Sequence, residues 1–160
     1  MARKTAYSSA TLTVKVTESL TIDGRDYGGS SSTTFSSIKN VTRRIETITT
    51  TEATVVSFSS VIGAGQYVAA NIAYMRFTNL DDTNFITLTF KNSADDEVAI
   101  KLDAGQTFVL AGDNSGGMAA MMNAVAGDAG SDTALADLKD IQADANTGSC
   151  DMEIYIAGTA

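Results

Sequence analysis

Residues 10–22 alternate apolar and polar side chains with a period of two. This period is typical of a β-strand with one buried and one solvent-facing side, because successive side chains of a strand point in opposite directions. We therefore predict a strand here, with Thr, Ser and Lys facing solvent. Its apolar side consists of Leu12, Val14, Val16, Leu20 and Ile22.

Shorter alternating segments recur along the chain, separated by turns rich in Gly, Asn and Asp. They cover residues 53–62, 72–78, 85–91, 97–102, 107–111 and 150–156. Strands at spacings of about 8–12 residues are typical of an antiparallel sandwich or barrel. We predict one all-β domain over residues 1–160, an antiparallel β-sandwich of about eight strands, with a jelly roll as a candidate topology.

The first third of the chain also contains less regular segments. Residues 23–29 include Asp-Gly and Gly-Gly pairs, which supply the positive φ angles of tight turns. Residues 30–34 are only Ser and Thr and are predicted to be extended or mobile. In residues 35–51 the spacing of Val41, Ile45 and Ile48 fits a helix, but the abundance of Thr favours a strand.

The block 113–149 differs because its apolar residues follow a helical period. The positions i, i+3, i+4 and i+7, on one face of a short helix, are Met118, Met121, Met122 and Val125. Residues 131–144 are a second helix candidate, in which Asp137, Asp140 and Asp144 share one face. We predict that 113–149 is a helical or loop insertion, a short excursion before the last strand.

Composition and charge exclude several classes of function. The chain has no His, so the commonest general base and metal ligand is absent. Its single Cys150 cannot form an internal disulfide and is predicted to be a buried apolar residue. From residue 111 onward, Lys139 is the one basic residue against eight acidic ones, a charge that disfavours nucleic-acid binding. No apolar run reaches the length of a membrane helix.

Three features have a plain structural interpretation beside a functional one. The acidic turns at 81–84, 95–97 and 113–114 could bind Ca²⁺, but they lack the spaced EF-hand pattern and are predicted to be solvated turns. The face with Asp137, Asp140 and Asp144 is a solvated helix face, a cation site or a docking surface for a basic partner. The Met stripe closes the core or forms an adaptable interface. We predict no catalytic, cofactor-binding or metal-binding residues.

Residues 75–91, continuing through 100–110, resemble a recurring pattern in small structural proteins of tailed bacteriophages. In that pattern R-x-T-N-x-D closes one strand, a Thr-rich strand follows, and x-L-x-A-G-x-x-x-x-L opens the next; here the first motif begins at Arg76 and the second includes Leu102. The resemblance implies a non-enzymatic β-sandwich protein of the virion, either a capsid cement or decoration protein or a tail or neck component. It brings no catalytic residues.

The start of the chain is consistent with assembly in the host cytoplasm. Arg3 and Lys4 form a basic start, but polar β sequence follows instead of the apolar run of an export signal. We therefore expect a virion protein that assembles as a homo-oligomer, with a trimer favoured, and contacts the major capsid protein. Its predicted contacts use an N-terminal arm, residues 1–9, and the insertion. A receptor- or glycan-binding adhesin module is the alternative from another class, and an enzyme with paired carboxylates is a third.

Overall fold

The computed structural model describes residues 8–63, 65–113, 115–122 and 137–160. Within these residues the chain forms thirteen strands, one 3₁₀-helix at Ala69–Asn71 and one short α-helix. In chain order they are β1 (Ala10–Glu18), β2 (Thr21–Ile22), β3 (Arg25–Asp26), β4 (Gly29–Ile38), β5 (Asn40–Ile48), β6 (Ala53–Phe58), β7 (Gln66–Tyr67), β8 (Ile72–Asn79), β9 (Ile86–Asn92), β10 (Glu97–Leu102), β11 (Thr107–Ala111), α1 (Gly117–Met121), β12 (Leu138–Ala145) and β13 (Cys150–Gly158).

Nine of these strands form two packed sheets. The five-stranded sheet has the order β10-β9-β12-β6-β7, and the four-stranded sheet has the order β11-β8-β13-β5. All neighbours are antiparallel except β6 and β7, which are parallel. The predicted all-β sandwich is confirmed.

The main core lies between the two sheets, and the period of two places its side chains there. Alternate residues of β8, β9 and β13 are fully or almost fully buried, because each strand directs every second side chain inward. These residues are Met75, Phe77, Ile86, Leu88, Phe90, Met152, Ile154 and Ile156. Cys150 belongs to the same core and is 1% exposed, so its prediction as a buried apolar residue is confirmed.

The remaining four strands form one long β-hairpin. Its register is continuous from Leu12 opposite Phe35 to Ile22 opposite Arg25. Asp23 and Gly24 have φ angles of 49° and 76°, the two positive values of a type I′ turn, which suits the right-handed twist of the paired strands. The predicted Asp-Gly turn is therefore confirmed, and the Ser/Thr run 30–34 is part of β4.

The prediction of a helix over residues 131–144 is wrong for the part that the structure describes as a strand, from Leu138 onward. Val125 and residues 131–136 lie outside the described residues. Residues 138–145 form β12, which pairs with β6 on one side and β9 on the other, instead of a helix. The sequence carries both periods here, since Ile141, Ala143 and Ala145 also alternate. Pairing on both edges satisfies the backbone of β12, and the core between the two sheets buries these three residues, which together favour the strand. The insertion therefore ends before β12, and the helical excursion precedes the last two strands.

The strand count also differs from the expected eight. The hairpin contributes four separate strands, and the two-residue β7 is too short to leave a periodic signal in the sequence. The segment 35–51, in which helical and strand patterns competed, forms the end of β4 and the whole of β5. The Thr-rich composition was the better guide there.

Candidate interaction surface

The long hairpin, residues 10–38, is named the ribbon here, and its two faces differ in character. In its continuous register, even-numbered residues of the first strand share a face with odd-numbered residues of the second. That face carries every large apolar side chain between residues 12 and 35: Leu12, Val14, Val16, Leu20, Ile22, Tyr27 and Phe35. The opposite face carries Thr, Ser and Lys15, so the predicted amphipathic strand is confirmed.

The base of the ribbon packs on the outer face of the four-stranded sheet. Phe35 and Ile38 are buried against Ala73, Tyr74 and Ala157, with Leu12, Val14 and Tyr155 at the margin. The Phe35 and Tyr74 ring centroids are 6.0 Å apart. Ser37 has a φ of 61° beside a register shift, and this bulge lets two residues three apart in sequence face the same way.

Further from the base, the apolar face of the ribbon is exposed to solvent. Val16, Leu20 and Ile22 are 49%, 50% and 50% exposed, and Tyr27 is 59% exposed. Glu18 lies between Val16 and Leu20 on the same face. We name residues 16–27 on this face the distal stripe. It continues the stripe whose base is buried, so the same chemical surface is covered at one end and open at the other.

A second exposed apolar stripe lies on the outer face of β5. Val41, Arg43 and Ile45 pair with Ala157, Tyr155 and Glu153 of β13 and face outward with them. Val41 is 55% exposed and Ile45 is 61% exposed. We name these three residues the β5 stripe. It borders the base of the ribbon, because Ala157 lies under Phe35 and Ile38.

A charge network holds the centre of this outer face. Glu153 is only 8% exposed, and its carboxylate accepts hydrogen bonds from Arg76 and Arg43, the latter with an Nη2–Oε2 distance of 2.7 Å. The hydrogen bond from Arg76 and then that from Arg43 hold the pKa of Glu153 below its ordinary value. The Arg76 guanidinium also lies 5.8 Å from the centre of the Tyr155 ring. Glu153 is therefore an ionised, structurally fixed group.

The two lateral edges of the sandwich, where one sheet ends beside the other, differ in their contacts. Beside β5, the Arg44 guanidinium donates to the backbone oxygen of Val55 in the other sheet, and Tyr67 donates to Thr42. Between the edge strands β10 and β11 a shallow groove is lined by apolar side chains: Phe90, Val98, Ile100, Phe108, Leu110 and Met122. The first side is bridged by polar bonds, and the second presents apolar surface.

The Met stripe is divided between the core and its margin. Met118 is fully buried in the core of its own chain, so the core interpretation holds for this residue and it offers no surface to a partner. Met121 and Met122 are partly buried and pack against the same core. Arg3 and Lys4 lie outside the described residues.

The three aspartates do not form a helix face. Asp137 is exposed just before β12, whereas Asp140 and Asp144 lie on the outer face of the five-stranded sheet. Asp140 is 8% exposed, and its Oδ1 has no hydrogen-bond partner in the described part of the chain. Burial, with a further contribution from Glu52, raises the pKa of Asp144. The prediction that these three aspartates share one helix face is therefore wrong.

The acidic turns use their oxygens within the chain. Asp81 Oδ1 accepts the backbone N–H groups of Thr83 and Asn84 at 2.8 and 2.6 Å. Asp113 Oδ1 accepts those of Ser115 and Gly116 in the same manner. Across residues 8–63, 65–113, 115–122 and 137–160, no three His, Cys, Asp or Glu side chains are grouped as metal ligands would be. These observations agree with solvated, self-bonded turns.

The distal stripe was visible in the sequence as a strand face, but its exposure was not. The β5 stripe was hidden because Val41 and Ile45 were also compatible with a helix. A signal did exist, since Val41, Arg43 and Ile45 lie at alternate positions beside Thr.

In the described ranges, no helix is both long and apolar enough to span a bilayer.

Comparison with known proteins adds little to these observations. No protein-family profile matches the chain, and no curated protein sequence matches it. Among solved structures, the chain is similar to one described under the words "Bacillus endospore appendages form a novel family of disulfide-linked pili". The identity is 8%, the similarity covers 99% of this chain and 96% of that chain, and the TM-score is 0.38. A similarity of this size bears on neither fold nor function.

Proposed function

We propose that this protein is a structural, non-enzymatic subunit of a bacteriophage virion, and specifically a capsid cement or decoration protein that stabilises the shell by oligomeric contacts. The observation that carries the proposal is the ribbon, whose apolar face is buried at the base and about half exposed along the distal stripe. A two-stranded ribbon is marginally stable alone in water. A surface from another subunit would cover its distal part and stabilise it.

The residues of the phage-like pattern support a structural role, because they build the sandwich. Asn79, within R-x-T-N-x-D, is fully buried at the end of β8. Its Nδ2 donates to the backbone oxygens of Asn84 at 2.8 Å and Leu102 at 3.2 Å. Its Oδ1 accepts the backbone N–H of Asp81 at 3.0 Å. One side chain thus ties the β8–β9 turn to the end of β10.

The proposal is tested on particles of the phage that encodes the chain. The gene is deleted and complemented with a tagged copy, and purified particles are imaged by electron cryomicroscopy. Density for the protein on the outer surface of the shell, with shells that rupture more readily in its absence, supports the cement role. Density in the tail or neck supports that alternative instead. Particles without the protein, together with binding to host glycans, would favour the adhesin module.

A further inference from the structure

We propose that the distal stripe of the ribbon docks on the β5 stripe of a second copy of this chain. The inference rests on the proposed structural role and identifies the surfaces that make the subunits associate. It is carried by a match between two exposed surfaces of one molecule. Each has two apolar residues that flank one charged residue at alternate positions of a strand.

The match includes both spacing and charge. Val16, Glu18 and Leu20 follow one another on the ribbon face, and Val41, Arg43 and Ile45 follow one another on β5. Each set spans five residues, and the four steps between its ends cover about 13 Å at the rise of a β-strand. When the faces stack, the acidic centre of one meets the basic centre of the other, and apolar residues meet on both sides.

The two central charges are available for this contact. The Nε and Nη2 groups of Arg43 both donate to one oxygen of Glu153, and the Arg43 side chain is 68% exposed. A guanidinium has five N–H donors, so others can reach a second carboxylate. Within the described part of the chain, Glu18 takes part in no ion pair.

The ribbon's own base shows that this kind of packing works on this face. Leu12, Val14 and Phe35 of the same stripe already pack on the outer face of the four-stranded sheet. The β5 stripe is the adjoining part of that outer face. A neighbouring ribbon would therefore lie beside the resident base and continue the layer that it begins.

A contact between two different surfaces has a consequence for assembly. Each subunit offers one ribbon and one β5 stripe, so every added copy leaves one of each free. Such heterologous contacts generate closed rings when the rotation closes and open chains when it does not. The expected trimer would be a ring of three such contacts.

The test uses two variants, each with one damaged surface. The ribbon variant carries Val16→Asp and Leu20→Asp, and the β5 variant carries Val41→Asp and Ile45→Asp. Sedimentation velocity of the wild-type chain over a hundredfold range of concentration should show association, whereas each variant alone should remain monomeric. An equimolar mixture should form a one-to-one dimer, because one intact ribbon meets one intact β5 stripe. Near-ultraviolet circular dichroism checks that both variants retain packed cores.

Matched controls lie on the opposite face of the ribbon. The pair Thr17→Asp and Thr21→Asp adds two carboxylates four residues apart, as the ribbon variant does, and should leave association unchanged. Glu18→Gln should weaken association by about two- to fivefold at low salt and reduce its dependence on salt. Lys15→Gln, which also removes one charge, should leave both quantities unchanged.

Three results would overturn the inference. They are a mixture that stays monomeric, variants that associate as the wild type does, and a wild-type chain that stays monomeric throughout. None of them bears on whether the protein is found on phage particles, which the imaging experiment decides separately. Conversely, a one-to-one mixed dimer would stand even if the protein were absent from virions.

Discussion

In the sandwich, Met75, Phe77 and Ile154 are completely buried between two sheets, whereas Val16 and Leu20 of the ribbon are about half exposed. Both regions use the same alternating pattern, so the difference does not come from local sequence. It comes from the number of layers. A sandwich strand has a second sheet packed against its apolar face. Among the described residues, no second layer covers the apolar face of the distal ribbon. The distal ribbon is thus a paired hairpin whose apolar face stays about half exposed among the described residues.

The largest expected contrast between the two regions comes from truncation of equivalent apolar side chains. Met118→Ala should lower the free energy of unfolding by about 2–5 kcal/mol, because it leaves a cavity in the core. Leu20→Ala should change it by less than about 0.5 kcal/mol, as surface substitutions usually do. Urea unfolding of the two variants measures both. If Met118→Ala changed the free energy of unfolding only slightly, the interface interpretation of Met118 would be favoured again.

Substitution of Glu153 tests how much its hydrogen bonds to Arg43 and Arg76 stabilise the outer face of the four-stranded sheet. Glu153→Gln should cost about 1–3 kcal/mol at neutral pH, because a buried charge-assisted pair of hydrogen bonds is weakened. Since the folded pKa is lowered, the stabilisation is present above the ordinary Glu pKa of about 4.3 and is lost as the pH falls through the folded value. Unfolding of both proteins between pH 7 and pH 2 should therefore converge at the acid end. Glu18→Gln on the distal stripe serves as the control and should leave the monomer's stability unchanged.

Two turns of the same chemistry show whether the ribbon unfolds separately from the sandwich. Gly24 at the tip of the ribbon and Gly105 between β10 and β11 both have φ near 70–76° and open space around them. A Val at either site should cost about 1–2 kcal/mol, because a β-branched residue resists positive φ. Gly105→Val should lower global stability, whereas Gly24→Val should only speed hydrogen exchange in residues 16–31. Equal global effects would show that ribbon and sandwich unfold as one unit.

The smallest expected effect is a gain in stability from the five-stranded sheet. Because burial raises the folded pKa of Asp144, this residue opposes folding as the pH rises above its unfolded value of about 3.9. Asp144→Asn should therefore stabilise the protein at pH 7 by about 0.5 kcal/mol and have no effect near pH 3. Thermal unfolding at both pH values measures this difference. Asp137→Asn is the exposed control, and a similar gain there would point to net charge rather than burial.

Several elements could be predicted from local chemistry because one interaction dominated each of them. The alternation at 72–78 and 85–91 has no competing helical period, so β8 and β9 could be predicted. The Asp-Gly pair at 23–24 tolerates positive φ better than its neighbours, and this predicts the turn. Residues 138–145 satisfied both periods, and the helix prediction failed because β6 and β9 offered hydrogen bonds on both edges of the strand.

The candidate surface was predictable only in part. The apolar side of residues 10–22 was correctly identified, but burial was expected along its whole length. The sequence also placed the three aspartates on one helix face and left the Met stripe between core and interface, whereas the structure places Asp140 in a sheet and Met118 in the core. Both errors have one cause. A sequence pattern shows which side chains share a face, and it does not show what lies opposite that face.

The sequence by itself determined the all-β class, the turn at the tip of the ribbon, the buried Cys150 and the faces of the regular strands. These features depend on φ preferences and on the alternation of side chains, which act between near neighbours. Only the tertiary structure decided that residues 138–145 are a central strand, that Glu153 meets Arg43 across β5 and β13, and that the ribbon is covered at its base and open beyond. Those outcomes depend on contacts between residues far apart in the chain, where pairing and burial outweigh local preference.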